Sequence, residues 1–444
     1  MGQWEACRQF LSISVRRDMM PVCFFNSNFT TKYNCEYEIK DGTIEIAVDY
    51  DISDEIESIN GMKIFGGNTK FEPRDIFVVD YQGKKNYLAK QAHCSGISSV
   101  LGTPDNGSKT KFCTNMFFEH SDIEQLSQLP STPKVIKIKL TSKSILDWIG
   151  YPSLQILKTE GCYTINLSKD YAGRSIDVNA NNINRLTVSD TWESVIHRKD
   201  HAISIDFNGY VEIELVKRVN YDKVYEYVNE LLVFMQLYCP DKFLVDKIST
   251  MVDGVYYELH MPIMEMKHKD KQVEVSVKSV GLLKFLKECY VRIPYRNSKT
   301  YIRNIPYITL KTSRSIEDNF LMFYRFIECF YKQTSGKSKT FVSNAINEHY
   351  ASKNKMSEEQ IESYIQEIIC LRNHYVHAGY YIKNGSLRIK FDPIDGKKNP
   401  QNYTANGVDA HWIYERTNIL YRIVVDIIFT EMLGYKVYQF KRHF

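Results

Sequence analysis

The spacing of apolar side chains changes once along this 444-residue chain, near Lys311, and that change sets the fold class. Before it, period two dominates. Ile44, Ile46, Val48 and Tyr50 alternate with polar residues, as do Ile136, Ile138 and Leu140, which predicts half-buried strands. Ile203, Ile205 and Phe207 alternate up to Asn208-Gly209, and Val211, Ile213 and Leu215 alternate after it. Asn-Gly accepts the positive φ of a type I′ turn, so the pattern predicts a hairpin there, and Asp253-Gly254 predicts another. Helical spacing interrupts the strands where Val224, Tyr227, Val228, Leu231, Leu232 and Met235 form one face behind a capping Asn220. Ser144–Trp148 reads as a short helical turn packing Trp148 onto the sheet, and Leu282–Tyr290 as a helix. Residues 1–40 show little periodicity and predict an irregular lead-in.

After Lys311 the period is three-four. Ser315 and Asp318 form a capping pair ahead of the stripe Ile316, Phe320, Phe323, Ile327 and Phe330. A basic loop, Lys332 to Lys339, leads to a shorter helix over about 341–350. Ser357 and Gln360 open a third helix with Ile361, Ile365 and Ile368 facing inward, and Gly379 is its natural stop. Tyr380–Phe391 reads as a hairpin turned at Asn384-Gly385, and a fourth helix carries Leu420, Ile423, Val424, Ile427 and Met432. The class is α+β: a β-rich N-terminal domain, residues 1–310, then an all-α four-helix bundle, residues 311–444.

Length supports two domains, and 31 tyrosines with 23 phenylalanines suit strand-rich structure. Net charge is only +4, yet 19 Lys+Arg against 14 Asp+Glu follow residue 310, so the whole positive excess sits with the helices. That favours a phosphate-bearing ligand there. Ten cysteines without a Cys-x-x-Cys pair predict reduced thiols and a cytoplasmic protein. His93-Cys94 and the pair His260 and His268 have too few partners for a metal site, and no cofactor motif is present. Thr334-Ser-Gly-Lys-Ser338 mimics the end of a P-loop, but Tyr331 stands where that loop needs glycine and a helix precedes it. No leader-like apolar core and no membrane-length apolar run is present.

Residues 371–380, Leu-Arg-Asn-His-Tyr-Val-His-Ala-Gly-Tyr, carry the chemistry. On a helix Asn373 and His377 stack on one face, about 6 Å apart along the axis. Arg372 and His377 differ by roughly 140° and about 7.5 Å, an offset an arginine side chain spans. A permanent cation thus stands beside a group suited to proton transfer at neutral pH. RNA cleavage needs that much and no metal, because the 2′-OH supplies the nucleophile; a base, an acid and a cation on the phosphate do the rest. The competing reading has Arg372 paired with a carboxylate and His377 merely favoured at a helix C-terminus. Lys337, Lys339, His374 and Tyr375 are the candidate substrate contacts, the lysines on the backbone and Tyr375, with Tyr380, on the bases; the competing roles are a solvated loop for the lysines, a surface or packing position for His374 and the bundle core for the tyrosines. Glu328 on the first helix either approaches the motif or is a solvated, paired group.

The Arg372-Asn373-x3-His377 run resembles the active-site motif of HEPN-domain ribonucleases. The whole chain looks like the ApeA family of anti-phage proteins, a β-rich domain joined to a C-terminal HEPN domain. The resemblance implies His377 as acid/base, Arg372 as phosphate clamp and Asn373 as hydrogen-bonding organiser. It implies a homodimer, since two antiparallel copies supply both an acid and a base. RNA is the implied substrate, tRNA among the candidates, with a phage-derived trigger protein recognised by the N-terminal domain. The alternative is a catalytically inactive HEPN dimer kept as an RNA-binding or protein-interaction scaffold.

Overall fold

A computed structural model describes residues 20–25, 27–49, 72–98, 109–149, 154–159, 162–167, 174–197, 202–238, 244–263, 273–276, 281–293, 315–335, 340–377, 382–383, 386–387, 410–435 and 439–442. The first half is built on antiparallel strands. Six of them close a barrel: β1 (Val22–Phe24), β2 (Tyr33–Lys40), β3 (Thr43–Val48), β4 (Arg74–Asp80), β5 (Lys85–Ser98) and β6 (Lys109–Thr114), in the cyclic order β1-β2-β3-β6-β5-β4. Closure leaves no edge to pair with another chain. Ile44, Ile46 and Val48 point inward and are fully buried, as their alternation requires, beside Cys23, Cys35, Val78 and Phe112. The Cys23 thiol meets Cys35 across this core, and that contact together with burial pushes its pKa up.

The lead-in is therefore not irregular throughout, because residues 22–24 and 33–40 are barrel staves. Tyr33, Cys35, Tyr37 and Ile39 do alternate, but the charged residues between them dominate the local pattern.

β5 also pairs β7 (Phe117–His120) and so feeds an open sheet. The sheet continues through β15, β14, β8, β13, β12 and β11. In chain order these are β8 (Lys134–Ser142), β11 (Arg174–Ala180), β12 (Ile183–His197), β13 (Ala202–Asn220), β14 (Lys247–Val252) and β15 (Val255–His260). β9 (Leu154–Thr159) and β10 (Cys162–Leu167) form a separate hairpin. One sheet face is apolar, with Phe118, Ile138, Leu140, Leu186, Val211, Ile213, Ile248 and Leu259 buried. The opposite face carries paired charges, including Lys137 at 3.3 Å from both Glu212 and Glu214.

Asp253-Gly254 turns β14 into β15 with φ of 48° and 90°, the two-residue hairpin its sequence predicts. Asn208-Gly209 does not turn. It lies inside β13, where Gly209 pairs Asp190 on one side and Ser142 on the other. A Cβ on Gly209 would meet Ile145 Cβ and Cγ2 at 2.7 Å and the Leu146 backbone nitrogen at 2.9 Å. The glycine lets a helix lie directly on the strand, which accounts for the signal that mimics a turn.

That helix is α2 (Lys143–Ile149), the second after α1 (Ile123–Ser127). The Trp148 side chain is outside the described residues. α3 (Val224–Tyr238) follows a 3₁₀ turn over Tyr221–Lys223, and its predicted face is buried against the sheet; Asn220 stands at the cap without a side-chain capping bond. α4 (Leu282–Arg292) packs beside it, with Tyr290 edge-on to Phe234 at 4.9 Å and Phe285 against Tyr238 at 5.3 Å.

Helices dominate the described residues after 311. α5 (Ile316–Ser335) starts at the predicted cap, Ser315 Oγ accepting from Asp318 N at 3.1 Å. α6 (Phe341–Ile346) runs through a π-helical turn, Asn347–Ala351, into Ser352–Asn354. α7 is Glu358–His377, and α8 (Ala410–Asp426) ends in a second π-helical turn, Ile427–Met432. Between them β17 (Ile382–Lys383) pairs β18 (Ser386–Leu387), the centre of the predicted hairpin, whose turn residues are outside the described ones. The tail returns to the β-rich half, where β19 (Gln439–Arg442) pairs β16 (Val273–Ser276). One buried cluster runs from Phe118 and Ile138 of the sheet through Leu231 and Phe285 to Phe323, Leu420 and Phe429. A barrel-bearing β-rich region followed by helices is thus the architecture, and side chains from both sides of Lys311 share a core.

Gly209→Ala should cost about 1–3 kcal/mol through overpacking against α2, read as a lower urea midpoint with unchanged slope; a wild-type midpoint would contradict the close approach.

Candidate active site

α7 is placed by its N-terminus and its inner face. Ser357 and Gln360 cap it reciprocally, Ser357 N donating to Gln360 Oε1 at 3.0 Å and Gln360 N to Ser357 Oγ at 3.3 Å. Ile368 and Leu371 are fully buried, with Ile361 and Ile365 half-buried on the same side. Arg416 of α8 clamps the helix from outside. Its Nε and Nη2 both reach one Glu367 oxygen at 2.7 Å, Nη1 reaches Glu415 at 2.7 Å, and the guanidinium lies 5.1 Å from the Tyr364 ring centroid. Arg416 is only 8 % exposed, so this is a desolvated, charge-assisted contact.

Five residues beyond Glu367 comes Arg372, half-buried, with its guanidinium carbon 5.9 Å from the ring centroid of Tyr324 on α5. Tyr324 is 7 % exposed, edge-on to Phe341 at 5.2 Å and stacked with Phe320 at 6.3 Å. Burial pushes its phenol up to about 12, while the Arg372 charge pulls it down and the Glu328 charge pushes it up. Glu328 is ion-paired to Lys332 at 2.8 Å, the paired state weighed for it above. Asn373, His374, Tyr375 and His377 belong to the last turns of α7, but their side chains are outside the described residues, as are Lys337, Lys339 and Tyr380 altogether. Arg372 alone among the predicted site residues therefore has a described side chain, and the structure joins it to Tyr324.

A second polar cluster escaped the sequence reading. Asp426, 3 % exposed, receives His349 Nδ1 at 2.7 Å on one oxygen and Lys353 on the other. Glu348 lies 3.9 Å from His349 Nε2 and accepts from the Tyr331 phenol at 2.6 Å. Burial and that hydrogen bond push the phenol's pKa up. His349 sits within one π-helical turn and Asp426 at the mouth of the other, so the cluster joins α5, α6 and α8 where two helices depart from α geometry. One local signal was present: an aspartate inside the apolar run Ile423-Val-Val-Asp-Ile-Ile428.

In the β-rich half Glu119, Glu258 and His260 bring three potential metal ligands together, the one such group among the described residues. His260 Nε2 is 3.0 Å from Glu119 and 3.5 Å from Glu258, its ring stacked on Phe117 at 4.4 Å. Lys85 holds the other Glu119 oxygen at 2.8 Å and Lys247 the other Glu258 oxygen at 2.7 Å. Both carboxylates are thereby neutralised by ammonium groups, and the cluster works as an ion-pair network. Burial raises the Glu119 pKa, but hydrogen bonds from His260 and Lys85 outweigh it and hold the carboxyl at about 2. His268 is outside the described residues.

No helix among the described residues is long and apolar enough to cross a membrane. The chain matches no family model, no curated protein and no solved structure.

Asp426→Ala removes the buried carboxylate that His349 and Lys353 both contact and should cost about 3–5 kcal/mol, whereas Lys353→Ala, at a half-exposed position where His349 still holds the carboxylate, should cost less than about 1 kcal/mol. Urea denaturation of both variants checks this; equal costs would contradict the burial argument.

Proposed function

We propose that this chain is a HEPN-type endoribonuclease of the ApeA kind. It cleaves RNA by attack of the 2′-OH and acts in abortive-infection defence against phage. The observation that carries the reading is the placement of Arg372. It occupies the closing turns of a long helix capped at its N-terminus, half-buried beside α5, with Asn373 and His377 following it in the same helix.

In this reading the Arg372 guanidinium binds the scissile phosphate and stabilises its growing negative charge. The His377 imidazole moves the proton, from the 2′-OH or to the 5′-oxygen, and Asn373 orients phosphate or imidazole by hydrogen bonding. Each copy of the motif offers one acid/base imidazole, His377, so the active unit is a two-fold homodimer in which a second copy supplies the complementary acid or base. Val376, between Tyr375 and His377, is apolar and 43 % exposed, surface that a second copy would cover. The β-rich half serves as the sensor, with a phage-derived protein as trigger and the cytoplasm as the place of action.

Arg372→Ala and His377→Ala should each lower the cleavage rate by about 10³-fold or more while leaving circular dichroism and melting unchanged, because the two groups act as one unit. Adding EDTA should leave the wild-type rate unchanged. Purified variants that cut RNA at near wild-type rates would overturn the assignment.

A further inference from the structure

Arginine is long and rotatable, and a phosphate clamp works only if its planar donor fork already points at the phosphate. Something must therefore hold Arg372. One group that the structure puts against it is an aromatic face. The guanidinium carbon lies 5.9 Å from the Tyr324 ring centroid, within cation–π reach. Tyr324 is itself immobilised: it is 7 % exposed, wedged by the edge of Phe341 at 5.2 Å and stacked with Phe320, which is fully buried. The platform is a fixed part of the helical core, whereas the arginine above it is half-buried.

The phenol chemistry separates two roles for this tyrosine. Burial pushes the hydroxyl up to about 12 against the opposing charge of Arg372, so the ring is neutral throughout the working pH range. A proton donor or acceptor for cleavage near neutral pH needs a pKa much closer to 7. The ring face, not the hydroxyl, is the useful part.

We propose that Tyr324 is a positioning residue for RNA cleavage, its ring face setting the Arg372 guanidinium toward the scissile phosphodiester. This rests on the ribonuclease reading above and names a residue on α5, 48 positions upstream, as part of that site. The electron-rich face attracts the cation without accepting a directional hydrogen bond from its N–H groups, the groups that meet phosphate oxygens.

The test is a kinetic series on the full-length chain with a fluorophore-labelled single-stranded oligoribonucleotide. Tyr324→Phe keeps the face and should retain kcat within about twofold. Tyr324→Leu should lower kcat at least tenfold with KM within about twofold, since the guanidinium acts on charge that develops in the transition state. Leucine at a packed site can also unfold the protein, so the decisive arm is isosteric. Phenylalanine carrying one, two or three ring fluorines at position 324 keeps the packing while progressively weakening the π face, and kcat should fall stepwise along it at constant melting temperature. A flat fluorine series, or a Tyr324→Phe loss as large as that of Tyr324→Leu, overturns the proposal. A wild-type chain that leaves RNA intact overturns the cleavage reading, and the proposal with it. A cleaving wild type with a flat series overturns the proposal alone.

Discussion

An antiparallel sheet with one apolar face has to cover that face, and most of this structure follows from how the cover is made. α3 lies across the buried side of the open sheet, and α4 packs edge-on to it through Tyr290 and Phe234. The end of α8 then docks on α4, Tyr435 stacking on Phe285 at 6.0 Å, before the chain joins β19 to β16. The C-terminal helices are thus an extension of the sheet's own cover. A residue near the tip of α7 is located, through α5 and α8, relative to strands more than a hundred positions upstream.

Apolar burial sets which elements meet, but it is permissive about register. Register in the helical half is set by buried polar contacts that admit few arrangements. Asp426 meets His349 and Lys353 together, and Glu367 meets Arg416. The first pins α6 to α8, and the second holds α7 against α8 five positions before Arg372. In the β-rich half the corresponding device is His260 between Glu119 and Glu258, at the junction of barrel and open sheet. Asp426 and Arg416 are the buried members of the first two, so losing either one disturbs its contact most.

What could be read in advance was local. The alternation of Ile44, Ile46 and Val48, the Asp253-Gly254 turn, the buried face of α3 and the caps at Ser315 and Ser357 depend on neighbours a few positions away, and all are found as expected. Non-local pairing was not readable. Barrel closure joins β1 to β4 and β3 to β6, β19 pairs β16 across more than a hundred residues, and His349 meets Asp426 across 77. Gly209 shows the sharper failure: Asn-Gly between two alternating runs has the pattern of a hairpin, but the glycine answers to α2, a tertiary neighbour. The candidate site divides the same way. Arg372, Asn373 and His377 fall within six consecutive positions and so are visible, whereas Tyr324 sits at ordinary core spacing on α5 and nothing local marks it as a neighbour of Arg372.

The central functional claim is that RNA is cut through its own 2′-OH, with Arg372 and His377 doing the work. The most direct measurement is the chemistry of the cut ends, read by mass spectrometry of a short defined RNA incubated with the purified chain. The account predicts a 2′,3′-cyclic phosphate on one fragment and a 5′-hydroxyl on the other, since the attacking oxygen belongs to the substrate. Fragments ending in a 3′-hydroxyl and a 5′-phosphate would mean that water attacked instead, and would contradict it.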